Sequence, residues 1–518
     1  MTFASHKLIA ADFDPLPSVN HQPGTRILVG EQDNLPSDGS ADGSADVIGY
    51  ATGPGLGGLE WLGMTQESLR VAGFEGKPGQ ALALPHLAGP AVVLVGCGAV
   101  EDLNEAALRD TAATFARASS RFRNASFVPP AELDLAPEAL GKAVVEGVLL
   151  ARYRYTELKS APDVVPLETL RLVVPEADVP GATQGAEAGR LAARSTNIAR
   201  DLANTPPGHL TAVAFADLTR SMAGTYGFGA ETFDKDQLIA MGCGGLLGVN
   251  AGSTEEPRMI MLRYVPPGPP VQHLALVGKG IMYDSGGISL KPSDPMHFSM
   301  KMDMAGSAAI VGMMTALRDS GCPIPVTAFL MCTDNMPSGS AMKLGDVLTI
   351  RGGTTVEIKN SDAEGRLVMS DALVLATEES PRAIIDIATL TGAALMALGT
   401  RTAALFGNDQ ALLDRVAEAG RRTDEGVWQL PLEHRYRPQL DSHVADLSNM
   451  GGKYAGATTA ALFLHEFVGG VPWAHIDMAG TMQSEDDDAW RSRGATGFGA
   501  RLLLDVVMAL DPGAGSPA

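Results

Sequence analysis

Short, mostly apolar runs punctuate the chain at 91–95, 170–174, 274–277, 326–331 and 383–387, each of strand length and rich in aliphatic side chains. Glycine or proline closes several of them: Val95 runs into Gly96-Cys97-Gly98, Val174 into Pro175 and Val277 into Gly278. Between them lie longer stretches with helical spacing, one beginning near Leu103, one of small residues over 185–202, and one rich in Ala, Gly and Met over 304–317. Strands alternating with helices predict an α/β fold whose mostly parallel sheet is covered on both faces. Ligands in such sheets gather beyond the carboxyl ends of the strands. Lys279 and Thr389 each fall just past a predicted strand, and a turn at Asp362 follows the strand-like run 355–358.

Residues 178–182 (Asp178-Val179-Pro180-Gly181-Ala182) read as a linker, which gives a smaller N-terminal α/β domain over 1–180 and a larger C-terminal α/β domain over 181–518, joined by the 185–202 helix. The small polar repeat at 37–46 reads as a surface loop, because it has no apolar surface to bury.

Composition narrows the function classes. With 518 residues, 45% hydrophobic and only 5% aromatic, and with 59 Gly and 33 Pro, the chain fits several short elements joined by tight turns. At about 100–200 residues per domain it exceeds one ordinary core. A formal net charge of -21 argues against nucleic acid as the primary partner, since phosphate binding needs clustered Lys and Arg. The first seven residues lack a charged and apolar leader pattern, and no apolar run reaches the roughly 18 residues of a membrane span, so a cytoplasmic chain is expected. Cys97, Cys243, Cys322 and Cys332 have no CxxC spacing and read as small buried apolar residues.

The densest chemistry is Asn360-Ser361-Asp362-Ala363-Glu364-Gly365-Arg366-Leu367. Asp362 and Glu364 can aim oxygens at one cation, and Arg366 can hold an anion beside it. Upstream, Lys279, Asp284 and Lys291 are followed by Asp303. Any one of these carboxylates would ordinarily be a solvated loop residue. Four converging at strand ends would repel one another unless cations neutralised them, and with Lys279 they supply ligands for two metals. Lys279 is either an ion-pair partner or a neutral amine ligand, and Lys291 either stabilises an oxyanion or balances charge. Arg366 either pairs a carboxylate or grips a small anion. Other motifs are missing or weak. His465-Glu466 has no second histidine at zincin spacing, Gly96-x-Gly98 lacks a third glycine, the glycines at 53–58 follow no evident strand, and no Gly-x-Ser-x-Gly occurs.

These residues carry a resemblance. The segments Val277-Gly278-Lys279-Gly280, Asp284-Ser285-Gly286-Gly287, Asp303-Met304-Ala305-Gly306, Asn335-Met336-Pro337, the 360–367 signature and Ala388-Thr389-Leu390-Thr391-Gly392 are similar to those of the leucyl (cytosol) aminopeptidases, over about 199–504. The resemblance implies a dinuclear exopeptidase with two divalent ions per subunit, Zn²⁺ or Mn²⁺, bridged by Asp284 and Glu364. Lys279 and Asp303 would complete one site and Asp362 the more exchangeable one. Lys291 would polarise the scissile carbonyl, Arg366 would hold a bicarbonate general base, and main-chain groups of Thr389, Leu390 and Gly392 would flank anion and substrate. Met300 and Ala495 match positions lining the first side-chain pocket. A macro-domain-like N-terminal unit, a homohexamer, short peptide substrates and a leucine-type preference are implied in the same way. Ser361 replaces the usual Thr, Met282-Tyr283 the commoner Thr-Phe, and the interval from Lys291 to Asp303 is one residue longer. The rivals are a two-metal phosphoester hydrolase, which the same carboxylates, Lys and Arg would suit, and a DNA-binding regulatory role, which the charge opposes.

Overall fold

The computed structural model describes residues 25–31, 45–56, 59–84, 89–130, 133–268 and 271–510, so most of the 37–46 repeat lies outside the described residues. Contacts divide the chain into two compact units. One comprises the described residues up to Asn197 together with Ser484–Arg493, and the other Ile198–Gln483 with the segment from Gly494 onward.

The first unit holds strands β1 (Arg26–Glu31), β2 (Val47–Thr52), β3 (Ala81–Leu84), β4 (Ala91–Gly96), β5 (Asn124–Val128) and β6 (Thr169–Val174). Their order is β1-β6-β5-β2-β4-β3, parallel except for the β3 edge. The helices Glu105–Ala118 and Pro137–Ala151 bury Leu108, Phe115, Val144 and Val148 against Phe127, Leu170 and Leu172. The glycines at 53–58 do follow a strand, β2; the alternating Gly49, Tyr50 and Ala51 interrupt its apolar pattern and hide it in the sequence.

The predicted linker is instead the start of a helix, Val179–Asn204. Pro180 is tolerated because amides of the first helical turn have no intrahelical partner. The glycines that resembled linker punctuation serve close packing. A Cβ on Gly185 would lie 1.9 Å from the Glu138 carbonyl, and one on Gly189 2.6 Å from that of Lys142, both on the Pro137–Ala151 helix.

The second unit adds β7 (Gly229–Phe233), β8 (Arg258–Tyr264), β9 (Leu274–Asp284), β10 (Val326–Asn335), β11 (Val347–Thr349), β12 (Thr355–Glu357), β13 (Ala383–Ala388), β14 (Ala403–Gly407), β15 (Val427–Gln429), β16 (Leu447–Ser448) and β17 (Trp473–Asp477). Its large sheet runs β15-β14-β17-β13-β9-β10-β8-β7, and β17, β13, β9 and β10 form a parallel centre. β11, β12 and β16 make a separate small sheet. The helices Ala305–Leu317 and Gly365–Glu378 are buried almost throughout, as helices covering a parallel sheet must be. β9 is longer than its apolar run, continuing through Gly278 and Gly280 to Asp284, so Lys279 lies inside the strand rather than past its end. All four cysteines are buried and free.

Candidate metal centre

β9 supplies Lys279 and Asp284, five residues apart. In a regular strand that odd spacing would send them to opposite faces. Pairing with β10 shifts register between Thr333 and Asp334, which pair with Ile281 and Tyr283, so Met282 is an extra residue on β9. This bulge restores the phase and turns both side chains toward one site. Asp303 ends the short turn Met300–Met302 before the Ala305–Leu317 helix. Asp362 and Glu364 lie in the turn between β12 and the Gly365–Glu378 helix, and Arg366 is the second residue of that helix. Thr389 and Leu390 follow β13, and Gly392 opens the helix Gly392–Leu398.

These elements converge. Lys279 Nζ lies 2.8 Å from Asp303 Oδ2, 2.8 Å from Glu364 Oε1 and 2.9 Å from the Thr389 carbonyl. It reaches them across Gly365, where a Cβ would stand 2.7 Å from Nζ. Lys291 Nζ lies 2.8 Å from Asp284 Oδ2 and 2.6 Å from Asp362 Oδ1. Asn335 Nδ2 donates to Asp284 Oδ1 (2.8 Å) and to the Ser361 carbonyl (3.0 Å), tying the two acidic loops together. The Ser361 hydroxyl donates to the Gly286 carbonyl (2.7 Å) and accepts from the Ser289 amide (2.8 Å), so the serine of the signature keeps a structural role for its oxygen.

Electrostatics mark the cluster as carboxylate-rich. Burial pushes the Asp284 carboxyl up to about 6, reinforced by Glu364 and opposed by Lys291 and Lys279. Burial also holds Asp303 well above the usual carboxylate range and raises Asp362, against Lys279 and Lys291 respectively. For Glu364 burial acts upward too, but Lys279 and Lys291 outweigh it and the group sits below its ordinary value. Burial opposes the charge on each lysine, yet Asp303 and Glu364 around Lys279, and Asp284 and Glu364 around Lys291, raise both above the ordinary lysine value. Arg366 is brought down to about 10 by burial, with Glu364 and Asp477 opposing.

Four carboxylates thus face two ammonium groups, and the donor set fits divalent metal. Oxygens of Asp284, Asp362 and Glu364 lie within 4.8 Å of one another, close enough for all three to face one divalent cation. Glu364 Oε2 is buried with no hydrogen-bond partner. Asp303 Oδ2 and Asp362 Oδ1 are within ion-pair reach of the lysines but outside hydrogen-bond geometry.

The remaining expected residues are held nearby. The Thr389 hydroxyl donates to Asp303 Oδ1 (2.7 Å) while its carbonyl takes Lys279. The Leu390 amide, expected to flank an anion, already donates to Asp477 Oδ1 at 3.2 Å. Arg366 Nη1 donates to the Asn449 carbonyl (2.9 Å), and Arg366 Nε has no hydrogen-bond partner. Met300 lies on the turn leading to Asp303, and Ala495 in the short strand Gly494–Ala495; both are buried. Sequence reasoning missed Asn449 and Asp477. Each acts mainly on main-chain groups far away in sequence, so no spacing advertises it.

Comparison with known proteins decides the family. The model for the catalytic domain of the cytosol aminopeptidase family matches residues 197–504, and that for the family's N-terminal domain matches 63–162. The chain belongs to the cytosol aminopeptidase family. It is therefore placed among metal-dependent aminopeptidases, peptidase-type hydrolases. A probable cytosol aminopeptidase of Roseiflexus castenholzii is 40% identical over 447 residues, 84% of this chain and 91% of that protein. One from Syntrophotalea carbinolica is 41% identical over 457 residues, 86% and 91% of the two chains. The solved structure of the bottromycin maturation enzyme BotP in complex with Mn aligns with a TM-score of 0.82 at 38% identity, covering 90% of this aminopeptidase and 99% of that chain. Among the described residues, no helix is long and apolar enough to cross a membrane.

Proposed function

We propose that this aminopeptidase removes N-terminal amino acids, leucine-type residues foremost, from short peptides at a two-metal centre. The observation that carries the reading is the convergence of Asp284, Asp303, Asp362 and Glu364 around Lys279 and Lys291, with Arg366 two residues beyond Glu364. Asp284 and Glu364 would be shared by both ions, Lys279, once a cation displaces its proton to leave the neutral amine, and Asp303 would complete one coordination sphere, and Asp362 the other. Zn²⁺ or Mn²⁺ held there would polarise the peptide carbonyl, anchor the free α-amine and acidify water. The manganese in the BotP structure supports that choice of ions.

The protein's own groups do the rest. Lys291 places a positive charge where negative charge grows on the scissile carbonyl oxygen. Arg366, buried and with an unused Nε, would hold a bicarbonate, which when bound would supply a general base, and main-chain groups of Thr389, Leu390 and Gly392 would border that anion and the substrate. Met300 and Ala495 would wall an apolar pocket for the first side chain. A closed homohexamer in the cytoplasm would confine such activity to short peptides and unstructured N-termini.

Parallel assays on leucine anilide and an aryl phosphate, after chelation and refilling with each metal, test the reaction class: turnover of the anilide alone is expected, and preferential turnover of the phosphate overturns the reading. Within it, Lys291→Gln should lower kcat by on the order of 10²-fold with metal content intact. Near-normal kcat would reduce Lys291 to charge balance.

A further inference from the structure

Asn449 follows β16, whose Leu447 and Ser448 pair with Val356 and Glu357 of β12, and it is fully buried. Its side-chain oxygen accepts from the amides of Lys359 (2.8 Å) and Asn360 (3.3 Å). Its side-chain nitrogen donates to the carbonyls of Asn360 (2.6 Å) and Ala363 (3.4 Å). Its main-chain carbonyl accepts from Arg366 Nη1 at 2.9 Å. One residue thus grips the acidic turn on both sides of Asp362 and also holds the guanidinium beyond Glu364.

The turn needs such a grip. It lies between β12 and the Gly365–Glu378 helix without a ladder of its own, and within it the Asp362 amide bonds only to the neighbouring Asn360 side chain (2.9 Å). A carboxamide is suited to the task because it offers two donors and an acceptor with two lone pairs in one plane, and here both sides are used. Aspartate could keep the two accepted bonds but would set a carboxylate oxygen against the carbonyls of Asn360 and Ala363. Serine is too short to reach both.

We propose that Asn449 is a positioning residue that fixes the Asp362 carboxylate and the Arg366 guanidinium, and thereby sets the affinity of the exchangeable cation position. The proposal rests on the reading of Asp362 as ligand of that position. Groups that orient ligands from behind a metal site typically govern affinity by about 10–100-fold.

The test is titration of the metal-free full-length chain with Mn²⁺ alone, read by calorimetry, for the parent, Asn449→Asp, Asn449→Ser and Asp362→Asn. In the two Asn449 variants the first equivalent should bind as in the parent, and the dissociation constant of the second should rise by about 10–100-fold. Asp362→Asn should lose the second equivalent. If Asp362→Asn behaves so while both Asn449 variants bind the second equivalent like the parent, the proposal falls. Loss of both equivalents, or of the fold, in both Asn449 variants would make the residue general scaffolding and equally overturn it. A second equivalent undisturbed by Asp362→Asn would instead remove the ligand assignment beneath it.

Discussion

Both units contain parallel strands whose carboxyl ends open onto glycine-bearing loops, yet those ends are closed by different chemistry. In the first unit the backbone fills the space: a Cβ on Gly96 would lie 2.1 Å from the Lys77 carbonyl. In the second, glycine admits charge, since Gly365 leaves room for the Lys279 ammonium on its way to Asp303 and Glu364. Buried charge can be compared at one site in each unit. Arg109 and Glu146 of the first unit form a pair at 2.7 Å with almost no exposure. The second unit sets four carboxylates against two lysines at one site. Similar sheets therefore carry a balanced structural pair in one case and an acid-rich site that divalent cations would complete in the other. The chemistry resides in the groups at the strand ends, and the sheet only positions them.

The largest effect should come from emptying the acid-rich site. Glu364→Ala removes the carboxylate read as shared between both cations, so metal content should fall and peptidase activity drop below about one thousandth of the parent. Melting of the metal-free variant should move less than in the Glu146 variant below, because Lys279 keeps Asp303 and the Thr389 carbonyl. Elemental analysis that still finds two ions per chain would break the distinction between the units at its centre.

The reverse holds for the balanced pair. Glu146→Gln removes the negative charge that faces both the buried Arg109 guanidinium and Lys142, and should cost up to about 3 kcal/mol in a urea melt, with unchanged activity per folded molecule. Arg109→Met combined with Glu146→Leu should recover most of that loss. A double variant as unstable as the single would show that the pair contributes more than mutual neutralisation.

Much of this was legible in the sequence, and the exceptions share a cause. The strand cores at 91–95, 326–331 and 383–387 reappear because a short, mostly apolar run rich in β-branched and aliphatic residues has few other homes. The four carboxylates, Lys279, Lys291 and Arg366 were visible as clustered motifs; the carboxylates and lysines meet in space, and Arg366 lies close enough to feel the Glu364 charge. The bulge at Met282 was invisible, because it exists only relative to β10. The helix start at Val179 was misread because Pro180 and Gly181 punctuate loops and also suit a first helical turn packed tightly on a neighbour. Asn449 and Asp477 escaped because their partners are chiefly main-chain amides and carbonyls, which every sequence offers everywhere.

Asp371 sharpens the comparison with the smallest effect, since it is a buried carboxylate outside the metal cluster that forms no ion pair among the described residues, although the Arg351 charge acts on it. It lies on the Gly365–Glu378 helix and accepts from the amides of Leu246 (2.8 Å) and Arg351 (2.9 Å). Burial nevertheless pushes it up to about 7, with the backbone amides of Arg351, Leu246 and Gly245 opposing. Because the folded value exceeds the unfolded one, the native state holds the proton more tightly. The contribution is therefore fully present below 3.8 and is lost as pH rises to about 7, beyond which it is constant. Within that window the metal-free parent should lose up to about 1.4 kcal/mol of stability per pH unit relative to Asp371→Asn, whose amide does not titrate. The site carboxylates titrate in both proteins and cancel in the difference. Urea melts of the two proteins across the window measure it directly, and parallel profiles would mean that the three amides and the Arg351 charge together hold Asp371 ionised against burial, so that a buried carboxylate needs no metal to stay charged.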